Sequence, residues 1–153
     1  MKLVVTAELG RLARWLRILG FDTVVFAQRP RRELVLRSLK EDRVIATRDS
    51  RMSRFTGVRM LHIRSDFIEE QLEQVIRELH LAVDTEKLFS ICIVCNRQLE
   101  EAPRQTVKEK VPPFVFEKTD RFMICPGCRR IYWKGTHWAL AKKFLERHLG
   151  STL

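Results

Sequence analysis

Leu3-Val4-Val5-Thr6-Ala7-Glu8-Leu9-Gly10-Arg11-Leu12-Ala13-Arg14-Trp15-Leu16-Arg17-Ile18-Leu19-Gly20-Phe21-Asp22-Thr23-Val24-Val25-Phe26-Ala27 carries the reading that decides the fold. Leu3-Val4-Val5 is a short apolar run suited to a buried strand. Leu9, Leu12, Trp15, Leu16 and Leu19 then recur at helical spacing, and Gly20 supplies the stop. Val24-Val25-Phe26-Ala27 is a second strand. The alternation continues along the chain. Pro30 and Glu33 open a helix expected to turn Leu34, Val35 and Leu39 inward. Arg43 to Thr47 is a third strand, Ser50 to Phe55 a short helical turn, and Val58 to Ile63 a fourth strand. From Phe67 to Leu81 runs a helix with Ile68, Leu72, Val75, Ile76 and Leu79 along one side. Strands alternating with helices predict an α/β fold, a short parallel sheet with helices on both faces.

The rest of the composition agrees with a folded domain carrying a small appendage. Of 153 residues, 45% are hydrophobic and 31% charged, too apolar for a disordered tail. No apolar run reaches the roughly 20 residues that span a bilayer. Glu8 stands where a signal peptide needs its apolar stretch, so a cytoplasmic protein that makes no membrane contact is expected. Collagen and a small disulfide knot are excluded. The formal net charge is +10. Residues through 90 hold 17 basic and 13 acidic side chains, and the shorter remainder holds 12 and 6. Such an excess favours a polyanionic partner such as RNA, DNA or an acidic membrane surface.

All four cysteines fall in the last two fifths of the chain. Cys92 and Cys95 form one C-x2-C pair, Cys125 and Cys128 a second, with 29 residues between the pairs. Two short chelating loops suit tetrahedral zinc, bound by four thiolates at about 2.3 Å in a closed structural site. Pro126 and Gly127 permit the tight turn that aims backbone N–H groups at sulfur. The alternatives are two disulfides, four uncoordinated thiols, a single iron or a redox pair. His137 is a spare ligand candidate. The second segment begins near Phe89, so the expected division is 1–88 for the α/β domain and 89–153 for a zinc ribbon with a C-terminal helix. Val111-Pro112-Pro113-Phe114 cannot be a central strand. Ile131-Tyr132-Trp133 reads as a strand, and a helix from about Trp138 to His148 packs Leu140, Phe144 and Leu145.

In open α/β sheets chemistry collects outside the carboxyl ends of the strands. Four acids are candidates there: Glu8 after the first strand, Asp49 after the third, Asp66 after the fourth, and Asp22 beside the second. Brought to one edge they would repel one another unless Mg²⁺ or Mn²⁺ neutralised them. Each has a plainer role as well. Asp66 with Glu69 could form a capping box, Asp49 could cap the turn that follows it, Asp22 could be a turn residue, and Glu8 could favour the positive end of the first helix. Arg11, Arg14 and Arg17 form a row, either solvated or phosphate-binding.

The long block Leu9 to Thr23, then Thr47-Arg48-Asp49, Arg64-Ser65-Asp66, Val111-Pro112-Pro113 and the two cysteine pairs with Tyr132-Trp133-x-Gly135-x-His137-Trp138 resemble, in order, the Mut-seven C-terminal RNase family. The resemblance implies a PIN-like fold with an appended zinc ribbon that cuts RNA through divalent metal held by acids. Asp22, Asp49 and Asp66 stand at matching acidic positions. Where many members carry a first-strand aspartate, this chain has Thr6. A metal-dependent ribonuclease would then use Asp49 and Asp66, with Asp22 or Glu8, for Mg²⁺ or Mn²⁺. Arg14 or Arg48 would hold a phosphate. Arg129, Arg130 and Lys134 would dock single-stranded RNA, with Tyr132 or Trp133 stacking a base or filling the ribbon core. The alternative is a catalytically degenerate PIN-like module that only binds RNA. A third reading is a protein-docking adaptor.

Overall fold

β3 (Arg43–Thr47) is buried at all five positions, the state of a strand covered on both faces. In the computed structural model, which describes residues 1–27 and 30–150, β1 (Lys2–Thr6) pairs with β3 on one side, and β4 (Met60–His62) pairs with it on the other. β2 (Asp22–Phe26) lies beyond β1, so the strand order is β2-β1-β3-β4. Every pairing in this sheet is parallel. Parallel crossovers are right-handed. The chain therefore steps from β1 to β2 through α1 (Gly10–Ile18) on one face, and back to β3 through α2 (Arg31–Glu41) on the other.

Burial follows the pleat. Val4 and Ile45 pack with Phe26, with Leu34 of α2 and with Met52. α1 packs against α3 (Ile68–Glu78), which buries Ile68, Leu72, Val75 and Ile76. Leu3, Val4 and Val5 are fully buried, each worth about 2 kcal/mol relative to exposure. Leu39 is 56% exposed, against expectation. At 100° per residue it lies well off the arc of Leu34 and Ser38, which α2 buries instead. Gly20 ends α1 with φ of +84°, and a Cβ there would lie 2.7 Å from the Lys87 carbonyl oxygen, so only glycine fits.

The chain divides into two compact units, one through Asn96 and the other from Arg97 onward. The second unit holds an antiparallel sheet of β5 (Glu100–Ala102), β6 (Phe122–Ile124) and β7 (Ile131–Tyr132), in that order. Two short helices, α4 (Arg104–Val107) and α5 (Pro113–Lys118), occupy the connection between β5 and β6, and Pro113 opens α5. Their Val107 and Val115 join Val111, Ala102 and Phe122 in a small core, with Trp133 packed against it. α6 (Thr136–Leu149) buries Leu145 and Leu149, one turn apart. Leu140, expected inward, lies off that arc and is exposed.

Candidate functional site

The order β2-β1-β3-β4 reverses direction between β1 and β3. From β1 the chain leaves towards β2, and from β3 it leaves towards β4, which opens a crevice at the carboxyl ends of these two strands. Thr6 is the last residue of β1 and Thr47 the last of β3. Their hydroxyl oxygens share a 3.1 Å hydrogen bond. Glu8 lies in the 3-10 turn Ala7–Leu9 that follows β1, and its carboxylate turns back to accept the Thr6 hydroxyl. It also accepts the Arg48 backbone N–H at 3.3 Å. Asp49 follows β3, and its backbone N–H donates to Thr47 Oγ1 at 3.1 Å. Glu8 and Asp49 thus border one cleft of about 890 Å³, together with Arg31, Arg48 and Arg51.

Asp49 is held by two guanidiniums. Arg51 donates its backbone N–H at 3.1 Å and its Nε at 2.9 Å, so Asp49 caps the 3-10 turn Ser50–Arg54. Arg31 Nε donates to the other carboxylate oxygen at 2.5 Å. The Arg51 hydrogen bond, reinforced by Arg31 against the opposing pull of burial, holds the carboxyl well below the usual aspartate range. Asp66 lies in the loop after β4, 75% exposed and ion-paired with Arg48. That loop is fixed by Gln74, which accepts the Arg64 N–H at 3.1 Å and donates to the His62 carbonyl at 2.9 Å. No capping box forms. Phe67 is the residue before α3, and Ser65 Oγ accepts its N–H at 3.0 Å.

Asp22 is elsewhere. It opens β2 opposite Lys2, the first residue of β1, and so sits at the amino edge of the sheet. There it accepts two hydrogen bonds from Arg43, at 2.7 and 3.2 Å, and one from Asn96 Nδ2 at 2.5 Å. Burial works to raise its carboxyl, but the Arg43 and Asn96 hydrogen bonds outweigh it and hold Asp22 below the ordinary value. The expected convergence of four acids is therefore not what the structure holds. Glu8, Asp49 and Asp66 lie at the carboxyl edge, and among the described residues the carboxylates form no close group of three.

Asp22→Asn is expected to destabilise the protein by about 2 kcal/mol, because it removes the formal charge facing an arginine side chain that is only 9% exposed, while Glu41 still pairs with that arginine. A lowered carboxyl pKa contributes stability above its unfolded value near pH 4, and that contribution is lost as pH falls through the folded value. Urea denaturation at pH 7 and near pH 3 should therefore show the gap between wild type and variant narrowing in acid.

The arginine row also separates. Arg11 and Arg14 are exposed, whereas Arg17 is only 6% exposed. Its Nε donates to the Thr23 carbonyl at 2.8 Å, and Nη1 to the carbonyls of Ile93 and Val94 at 2.8 and 3.0 Å. A step of three residues falls 60° short of a full helical rotation, so residue 17 has turned 120° away from residue 11. Burial pushes its pKa down. Arg129 and Arg130 are exposed, and Lys134 Nζ lies 5.3 Å from the centre of the Trp138 ring. Trp133 meets the Phe122 ring edge-on at 6.4 Å and belongs to the ribbon core. Arg31 and Arg51 carry no motif in the sequence that points to this cleft. The one signal for Arg51 is its position two residues after Asp49, where an Asx turn presents the next donor.

The four cysteine sulfurs all lie within 4.8 Å of one another. Zinc–sulfur bonds of about 2.3 Å place tetrahedral ligands roughly 3.8 Å apart, so the cluster fits that ion. Both turns have the same build. Cys95 and Cys128 each aim a backbone N–H at the sulfur of the preceding cysteine, at 3.5 Å. Asn96 and Arg129 follow at φ of 63° and 62° and close the turns on the carbonyls of Cys92 and Cys125, both at 3.0 Å.

Among the described residues, no helix is long and apolar enough to cross a membrane. A family model described as the Mut7-C RNAse domain matches residues 1–145. No curated protein and no solved structure matches the chain at a significant level.

Proposed function

The chain belongs to the Mut7-C RNase domain family, and on that premise we propose that it hydrolyses single-stranded RNA in the crevice between β1 and β3. One observation carries this reading. Glu8 and Asp49 stand at the ends of the two strands where the sheet reverses direction, in one cleft that also presents Arg31, Arg48 and Arg51. Anionic and cationic groups side by side suit a scissile phosphate, whose oxygens need guanidiniums and whose attacking water needs a carboxylate.

Mg²⁺ or Mn²⁺ accepts one or two carboxylates and completes its coordination with water and substrate phosphate. Glu8 and Asp49 match that donor set and would hold the ion. When bound, such an ion activates water and offsets the charge that builds on phosphorus. The remaining work is done by the chain. Thr6 and the Arg48 N–H orient the Glu8 carboxylate. Arg31 and Arg51, which pair with Asp49, would turn to phosphate oxygens when RNA binds. Arg48 can likewise exchange the exposed Asp66 for RNA.

A second reading rests on Thr6. β1 ends in a neutral hydroxyl, and the nearby acids are paired with arginines. A degenerate RNA-binding module would present the same cleft. Purified protein, labelled single-stranded RNA and a titration of Mg²⁺ or Mn²⁺ separate the two. The hydrolase yields metal-dependent products. Salt-sensitive binding with no products at any metal concentration supports the binding module.

A further inference from the structure

Beside the cleft runs a second groove of about 840 Å³, lined by Arg11, Arg14 and Arg37 together with Val24, Val25 and Val94. Ala7 and Glu8 border both the groove and the cleft, so the two are continuous. Among the described residues Arg11 and Arg14 form no ion pair, and Arg37 is engaged only by Glu41, one turn along its own helix. Arg17 also borders the groove, with its guanidinium committed to three backbone carbonyls. Glu8 is the sole acid on this lining, at the junction with the cleft. Cations with unused donors beside aliphatic side chains suit an extended phosphodiester chain, whose backbone seeks charge and whose bases seek apolar cover.

We propose that this groove is the track for the RNA strand flanking the scissile phosphate: single-stranded RNA leaves the cleft past Ala7 and Glu8 and lies along Arg11, Arg14 and Arg37. The proposal rests on the ribonuclease reading of the cleft and adds where the neighbouring nucleotides bind. It makes affinity depend on strand length, since a short oligonucleotide fills the cleft alone.

Fluorescence anisotropy with labelled oligouridylates of three and twelve nucleotides, without added Mg²⁺ or Mn²⁺, tests it. Arg11→Glu/Arg14→Glu is compared with Arg32→Glu/Lys40→Glu, an equal charge change on exposed α2 positions outside both linings. Circular dichroism checks that each variant is folded. The groove variant should bind the 12-mer about 10-fold or more weakly, and its salt slope should fall by roughly 1.4, the value for two single-strand phosphate contacts. Trimer binding should match wild type, and the control should bind both oligonucleotides as wild type does. Equal loss in both variants, or unchanged 12-mer affinity in the groove variant, overturns the track while leaving the cleft reading standing. Wild-type protein that binds neither oligonucleotide overturns the cleft reading and the track together.

Discussion

Asp49→Asn is expected to slow RNA cleavage by about 10²–10³-fold with little change in stability. Asparagine keeps an oxygen to accept the Arg51 N–H that caps the 3-10 turn, so the local backbone survives. It loses the negative charge that would hold the divalent ion, and with it the cation that would offset the charge building on phosphorus. Glu8→Gln should have a similar effect for the same reason. The companion experiment uses the residue at the end of β1. Because Glu8 turns back onto Thr6, the two side chains address the same point of the crevice. Adding Thr6→Asp to Glu8→Gln should restore activity by about 10-fold, since it returns a carboxylate to that strand end. Single-turnover cleavage at saturating Mn²⁺ measures all three variants. Full activity in Asp49→Asn would remove this cleft from the chemistry. Hydrogen bonds from Arg51 and Arg31 hold the Asp49 carboxyl below the usual aspartate range, so the carboxylate is charged at neutral pH and open to a cation.

Removal of zinc is the second large effect. Elemental analysis should find one zinc per chain, and Cys125→Ser or chelation should abolish the ordered antiparallel sheet β5-β6-β7. The core beneath that sheet is one small cluster around Val107, Val111, Val115 and Phe122, with little buried area of its own. Structural zinc contributes an apparent 10–16 kcal/mol or so at neutral pH, which such a core cannot replace. Hydrogen exchange should show Phe122–Ile124 losing protection after chelation. A protein that carries no metal, or whose exchange pattern is unaffected by chelation, contradicts the assignment.

The sheet was legible because its strands are unbroken apolar runs and its helices have clear periodicity. Leu3-Val4-Val5, Arg43 to Thr47 and Phe67 to Leu81 coincide with β1, β3 and α3 to within a few residues. The cysteine turns were legible because their chemistry is local, carried by two residues and the turn between them. What depended on rotation or on distant partners was not. Arg17 reads as a third member of the row begun by Arg11 and Arg14, yet helical drift carries it into the protein. From the sequence Asp22 reads as one more strand-end acid, although an acid that enters a parallel strand stands at the amino edge. Its partners, Arg43 and Asn96, are 21 and 74 residues away. Arg31 reaches Asp49 across 18 residues, a meeting that only the crossover through α2 arranges.

Asn96 ties the first cysteine turn to β2 twice, accepting the Thr23 N–H at 2.8 Å and donating to Asp22, while Arg17 grips the carbonyls of Ile93 and Val94. The Cys92–Cys95 turn is therefore held by side-chain hydrogen bonds from the sheet unit as well as by its own turn. A zinc ion would meet there two thiols whose ordering entropy is already lost, so the upstream pair is expected to contribute its share of the binding at a lower entropic cost.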